Sequence, residues 1–224
     1  MTTKLAPQWR DFVAAAMQRG AIAYDRDGDQ HHDTISAWIK ATRASDPDAS
    51  LYYLAVMLEG GEDPRFIARR MVILASEDIG NADPRAIMVA ASAWELVERI
   101  GMPEARITLS QAAIYLALAP KSNASYLAID EAIADVREGR TIPVPMHIKD
   151  GNVRKAQELS PGGNRGDRYD YAHDHADGVG RQDYLGVEKS YYRPGMHGLE
   201  AQLAARLKEI KALRAETRGD AGKA

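Results

Sequence analysis

His173, Asp174, His175 and Asp177 form the densest set of potential metal ligands in this 224-residue chain, and His31 with His32 forms a second. A catalytic zinc site takes three protein ligands from a rigid frame, often at a helical spacing such as H-E-x-x-H, and no such frame occurs here. His173 and Asp174 are therefore expected to satisfy backbone groups where an irregular segment folds back, with no metal bound. Asp25, Asp27, Gly28 and Asp29 resemble a calcium loop, but the glycine falls at the fourth position instead of the sixth. Ser36 stands where the bidentate glutamate belongs, so a turn is expected. Glu77 and Asp78 close the run MVILASEDIG, and Asp78 continues the stripe of Ile67, Met71 and Leu74 toward the interior. A buried carboxylate of this kind serves as an acid or base only when burial raises its pKa beside a reacting group. No such group stands near it in sequence. A structural role is expected for Asp78, accepting hydrogen bonds from the helix start around Asn81 and Ala82 or pairing with an arginine such as Arg70.

Arg65, Arg69, Arg70 and Lys121 are the candidate contacts to DNA or another anion, together with Arg206, Lys208, Lys211 and Arg214 near the C-terminus. The formal net charge of −3 means that any polyanion must be met by a local patch. Basic residues three and four apart more often form a solvated helix face than a phosphate stripe. A P-loop needs G-x-x-x-x-G-K-[ST], and the only Gly-Lys pair is Gly222-Lys223. A dinucleotide fingerprint and a G-x-S-x-G elbow are also missing from these residues. The chain is thus expected to be non-catalytic and to hold no cofactor. It has no cysteine, which rules out thiolate chemistry and suits a reducing cytosol. The start MTTKLAPQWRDF is unlike a signal peptide, and no run reaches the roughly 18 apolar residues of a membrane span. A cytoplasmic location without membrane contact is the expectation.

The elements that carry these residues are legible from their punctuation. Asp46-Pro47, Asp63-Pro64 and Asp83-Pro84 each precede a helical pattern: aspartate caps free N–H groups, and proline at the first helical position loses no hydrogen bond. Gly60, Gly80, Gly101 and Gly139 supply the matching stops. They bracket helices at roughly 34–44, 47–59, 64–79, 84–100, 103–118 and 123–138. Trp9, Phe12, Val13, Ala16 and Met17 lie on one face of a further helix before Gly20. Ile87, Ala91, Trp94 and Val97 form one stripe, as do Tyr126, Ile129, Ile133 and Val136, and each stripe is expected to face the core. The segment ITLSQAAIYLALA, apolar nearly all round, is the expected central helix. After Gly139 two prolines in TIPVPMHIKDG end regular helix, and residues 161–198 read as a long irregular segment wrapped on the body through its aromatics. A last helix at about 198–215 carries Leu199, Leu203, Leu207 and Ile210 on one stripe and is expected to dock on the body. The fold class is all-α: a multi-helix bundle, then an irregular Gly/Tyr/His-rich segment, then a C-terminal helix. The expected divisions are 1–30, end of a lid-like helix and linker; 31–140, helical domain; 141–216, wrapping segment plus C-terminal helix; and 217–224, disordered tail.

The stretch from YDRDGDQHHDTISAWIK to ASEDIGNADPRA, followed by LALAPKSNA, VPMHIKDG, RYDYAHD and YYRPGMHGLE, resembles the C-terminal region of the replication-associated recombination protein A family. The eukaryotic Werner-helicase-interacting ATPase is a relative. The resemblance covers roughly Ala21 to Arg214. It departs at Gly186, where members usually have proline, and at Gly178-Val179, where Gly-Tyr is commoner. In that family an AAA+ motor and a small helical lid precede this region, which resembles the collar of clamp-loader subunits. The resemblance implies a module that gathers ATPase subunits, most readily as a homotetramer, for work at replication forks and in recombination and repair. Direct binding of DNA or of single-strand-binding protein is the alternative role it implies.

Overall fold

A computed structural model describes residues 29–149 and 169–221, with side chains described for 31–149 and 169–216. Seven α-helices and no strand occur among them: α1 Asp29–Arg43, α2 Pro47–Glu59, α3 Pro64–Leu74, α4 Arg85–Ile100, α5 Ala105–Leu118, α6 Ala124–Arg137 and α7 Glu200–Ala221. The expected amphipathic helix before Gly20 and the aspartates of the calcium-like loop lie outside the described side chains. Backbone packing divides the chain into two units, one up to Asn123 and one from Ala124. The expected boundary near residue 140 differs from this division by one helix. α6 falls in the second unit because its polar partners come from later in the chain.

The Asp-Pro starts form as their chemistry predicts. Asp46 accepts from the Ala49 amide and Asp63 from the Arg65 amide, both at 2.9 Å. Asp83 accepts from the Arg85 amide at 3.2 Å and takes the Tyr115 hydroxyl at 2.6 Å, tying the start of α4 to α5. The stops need one correction. Gly60 is right-handed at φ −71, and it is Gly61, at φ +78, that turns the chain out of α2. α1, which has no glycine at its end, closes on Ser45 at φ +64. The helix expected over 64–79 is regular only to Leu74; Ala75–Ile79 is wound as a π-helical turn, followed by a 3₁₀ turn at Gly80–Ala82. α7 continues to Ala221, into the stretch expected to be a disordered tail.

In the first unit α5 packs against α2, α3 and α4, and α1 packs on α2. Its core is built from Trp38, Leu54, Met57, Ile67, Met71, Leu74, Leu109 and Leu116, interleaved with alanines. α5 is central, as expected, but it is not enclosed: Leu109, Ala112, Ala113, Leu116 and Ala117 are buried while Ile107, Ile114 and Leu118 are exposed. The core face of α4 is Ala86, Ala90, Ala93 and Val97. This face is turned one residue from the expected Ile87-Ala91-Trp94 stripe, and Ile87 lies exposed. The reason is steric, because alanine at helical spacing allows neighbouring backbones to close up and a row of isoleucine and tryptophan does not. The stripe expected on α6 is likewise uncovered, with Tyr126, Ile129, Ile133 and Val136 all exposed.

The turned face of α4 gives a direct test. Ala90→Leu inserts three heavy atoms into a filled layer and should destabilise the fold by about 1–3 kcal/mol or more, whereas Met88→Ala should stay within about 0.5 kcal/mol. Urea unfolding of the two variants measures this; equal losses would return Ala90 to the surface.

Candidate functional site

Polar chemistry in the first unit gathers where α3 ends. The π-helical turn carries Asp78, 7% exposed, inward, and its Oδ1 accepts from Arg43 Nε of α1 at 2.6 Å. Arg43 also reaches Glu77 at 3.4 Å. The partner of Asp78 is thus Arg43 and not Arg70, and the helix start at Asn81 takes no part. Arg43 stands 35 residues away in sequence, a pairing that only the packing of α1 could reveal. The Asp78 carbonyl accepts from the Ser122 amide at 2.8 Å. Beside it Lys121 Nζ donates to the carbonyls of Ala117 and Ala119 at 2.8 and 2.6 Å and to Ser45 Oγ at 3.2 Å. Two of these bonds close the end of α5 and the third ties it to the turn after α1, and burial lowers the Lys121 pKa.

Of the other candidate anion contacts in the first unit, Arg65 and Arg69 are engaged within their own helix. Arg65 grips the Asp63 carboxylate through Nε and a terminal nitrogen, the latter at 2.9 Å. Arg69 lies over the Phe66 ring at 5.3 Å. The Arg70 Nε is buried without a hydrogen bond. Asp83, buried, is held below the usual carboxylate range by the Arg85 guanidinium and, secondarily, by the Tyr115 hydroxyl. Asp63, Asp83 and Lys121 thus fasten helix ends.

In the second unit the expected roles of His173 and Asp174 pass to their neighbours. His173 stacks against Tyr171 with ring centroids 5.1 Å apart. The carboxylates that hold the irregular backbone are Asp170, on the Arg181 amide at 2.6 Å; Asp177, on the Val179 amide at 3.0 Å; and Asp183, on the Leu185 and Gly186 amides at 3.1 Å. Each sits one to three residues from a glycine or turn, which is the signal that could have singled them out. Gly186 adopts φ +80, a value that proline, common at this position in the resembling family, does not allow. His31 bonds to Glu62 and packs on Phe66. No group of three or more His, Asp or Glu placed to hold a metal occurs among the described residues.

The strongest electrostatic cluster was missed in the sequence. Glu131 and Asp135, one turn apart on α6, face Lys189, Tyr191 and Arg193 of the irregular segment. Lys189 Nζ is 3.0 Å from both carboxylates, Arg193 is 2.7 Å from Glu131, and the Tyr191 hydroxyl is 2.9 Å from Asp135. Arg140 adds a bond of 2.6 Å to Asp135. Arg193 foremost, with Lys189, pulls the Glu131 pKa down to about 2, and Arg140 foremost lowers that of Asp135. A second anchor is Glu200, fully buried at the first residue of α7, which accepts from the Tyr192 hydroxyl at 2.9 Å and the Gly195 amide at 3.0 Å.

The remaining feature is apolar. α5 lies between two grooves in the first unit. One, of about 340 Å³, is lined by Leu51, Leu54, Leu58, Met102 and Ile107 with Arg106 and Glu59. The other, of about 300 Å³, runs between α4 and α5 and is lined by Met88, Val89, Leu96, Gln111 and Ala112. Met88 is 66% exposed, Ile107 61% and Leu118 63%. No helix among the described residues is long and apolar enough to cross a membrane.

The described residues form an all-helical chain with apolar grooves on the first unit, and the class it falls in is the C-terminal domain of AAA+ ATPases. The chain belongs to the family described as MgsA AAA+ ATPase C terminal, whose model matches residues 44–211. It is 49% identical over 210 residues to an uncharacterized AAA domain-containing protein of Mycobacterium tuberculosis, covering 92% of this chain and 46% of that one. It is 45% identical over 185 residues to replication-associated recombination protein A of Bacillus subtilis, covering 81% and 43%. Against replication-associated recombination protein A of Escherichia coli it is 42% identical over 188 residues, covering 82% and 41%. The chain thus spans less than half the length of these relatives.

The α6 cluster carries a pH signature. Glu131 is held at about 2 in the folded chain against an ordinary 4.5; a depressed value contributes stability that is complete above the unfolded pKa and is lost as pH falls through the folded one. Glu131→Gln should therefore lower stability at neutral pH and flatten part of its loss on acidification below about pH 4.5, so that variant and parent converge in acid. Urea midpoints across that range, compared between variant and parent, check this; parallel curves would refute it.

Proposed function

We propose that this helical domain is a non-catalytic assembly and interaction module of an AAA+ ATPase that works in DNA replication and recombination, and that it holds motor subunits together as a homotetramer. The observation that carries the reading is the pair of open grooves flanking α5, with Met88, Leu96, Ile107 and Leu118 standing out of the surface. Contiguous exposed apolar surface on a folded domain marks a place where another surface sits. A second copy fits the chemistry. The lining is aliphatic with one arginine and one glutamate, Arg106 and Glu59, so that a two-fold contact is able to pair unlike charges across apolar centres. The names of the relatives from Bacillus subtilis and Escherichia coli support the replication and recombination setting.

A stable interface buries on the order of 1,200–2,000 Å² in total, so the assembly should survive dilution to micromolar concentration. Size exclusion coupled to light scattering should give about four times the monomer mass for the parent chain. The double variant Met88→Glu with Ile107→Glu should fall to a smaller species while its far-ultraviolet circular dichroism is kept. A monomeric mass for the parent at high micromolar concentration would remove the assembly role.

A further inference from the structure

The groove between α2 and α5 lies beside the point where the N-terminal chain enters the first unit. Only residues 44–46 join α1 to α2, so the start of α1 is brought back to the end of α2. There His31 bonds to Glu62, and its ring packs on Phe66 with centroids 4.9 Å apart. Glu62 follows closely on Glu59, which lines the groove. Leu54, 2% exposed, floors it, and Leu51 and Leu58 continue the same stripe of α2. Met102 and Ile107, 48% and 61% exposed, bound the opposite side.

The sequence that leads into α1 carries a pattern complementary to this groove. Trp9, Phe12, Val13, Ala16 and Met17 fall at i, i+3, i+4, i+7 and i+8, the spacing with which an amphipathic helix seats its apolar face between two others. Pro7 and Gly20 bracket the pattern with the residues of a helix start and stop. Wound as a helix, Trp9 to Met17 is about 12 Å long, and so is the stretch of α2 from Leu51 to Glu59. Residues 18–28, which join Met17 to α1, span up to about 40 Å when extended. Reach is therefore ample. With Met17 at the entry end, Arg19 falls beside Glu59, an exposed carboxylate without an ion pair among the described residues. The rim offers a negative charge where the segment brings a positive one.

We propose that residues 9–17 dock as a helix in the α2–α5 groove of their own chain and there contend with a second copy. The contention rests on the assembly reading above; the docking does not. Trp9 is the probe, read in the full chain as the difference between each protein and its Trp9→Phe counterpart, since Trp38 and Trp94 are common to both. Its emission should be blue-shifted and shielded from acrylamide, and should stay so on dilution to sub-micromolar concentration. Ile107→Glu should shift it to the red and open it to the quencher, whereas Met88→Glu, in the other groove, should leave it shielded. Phe12→Glu should also expose Trp9, and it should lower the concentration at which the chain half-assembles by about tenfold for a cover closed about nine-tenths of the time. Circular dichroism confirms that each variant is folded. The proposal is overturned if Trp9 of the parent is as open to acrylamide as in urea, if folded Ile107→Glu leaves it shielded, or if the shielding fades on dilution, which would mark a second copy as the occupant. Parent and Phe12→Glu chains that both stay monomeric, with Trp9 of the parent shielded, would uphold the docking and count against the assembly reading alone.

Discussion

The close approach of α4 to its neighbours along Ala86, Ala90 and Ala93 is the constraint from which the rest of the first unit follows. Side chains with no γ-carbon bury little apolar area each, about a third of what leucine or isoleucine removes from water, yet they allow α3, α4 and α5 to close up. Cohesion then falls to the few large residues that reach the centre, among them Trp38, Met57, Ile67, Met71, Leu109 and Leu116, all essentially inaccessible. With the inner face of α4 fixed as alanine, its isoleucine, methionine and leucine have only the outer face left. The exposed Ile87, Met88 and Leu96 are therefore a consequence of the packing, and Met88 and Leu96 bound the groove beside α5. The tie from Tyr115 to Asp83 secures the same approach at the end of α4, where the chain enters from the π-helical turn.

Helix positions were legible because they are set locally. Asp-Pro pairs and left-handed residues act within one turn of where they stand, and four of the predicted helices, at 47–59, 84–100, 103–118 and 123–138, match the observed ones to within two residues at each end. Facing was not legible to the same degree. A stripe of large apolar residues and a stripe of alanines both repeat at helical spacing, and hydrophobic periodicity favours the larger. On α4 the smaller stripe won, since the choice depends on how near the neighbouring backbone comes, which is a property of three helices together. Pairings were least legible: Arg43 with Asp78 and Lys189 with Glu131 and Asp135 join residues tens of positions apart. Nothing local to Asp78 prefers Arg43 to Arg70.

The second unit is organised by other forces. Among its described residues only Asp135, Val179, Gly180 and Glu200 are buried, and two of these are carboxylates. Apolar burial of that extent does not offset the entropy of ordering an irregular chain. Directional contacts supply the difference: Asp170, Asp177 and Asp183 on backbone amides, Glu131 and Asp135 on the 189–193 stretch, and Glu200 at the start of α7. Hydrogen bonds to charged groups are worth about twice neutral ones, and each fixes a geometry as well as contributing energy. A segment rich in Asp, Tyr, His and Gly with no periodicity is what such a fold requires, which is why hydrophobic pattern was silent there.

That difference in construction bears on how the two units are able to meet partners. Where a core is apolar, the surplus of large aliphatic residues appears outside, as Met88, Leu96 and Ile107 do on the first unit, as surface suited to burial against an equally apolar face. Where structure is held by carboxylates on amides, the aromatic side chains are released from core duty, and Tyr169, Tyr171 and His173 stand exposed, packed edge-on or tilted against one another. The same economy of packing that leaves α4 with an aliphatic exterior thus has its counterpart in a loop that carries exposed aromatics, and the two surfaces differ in chemistry because the interiors behind them do.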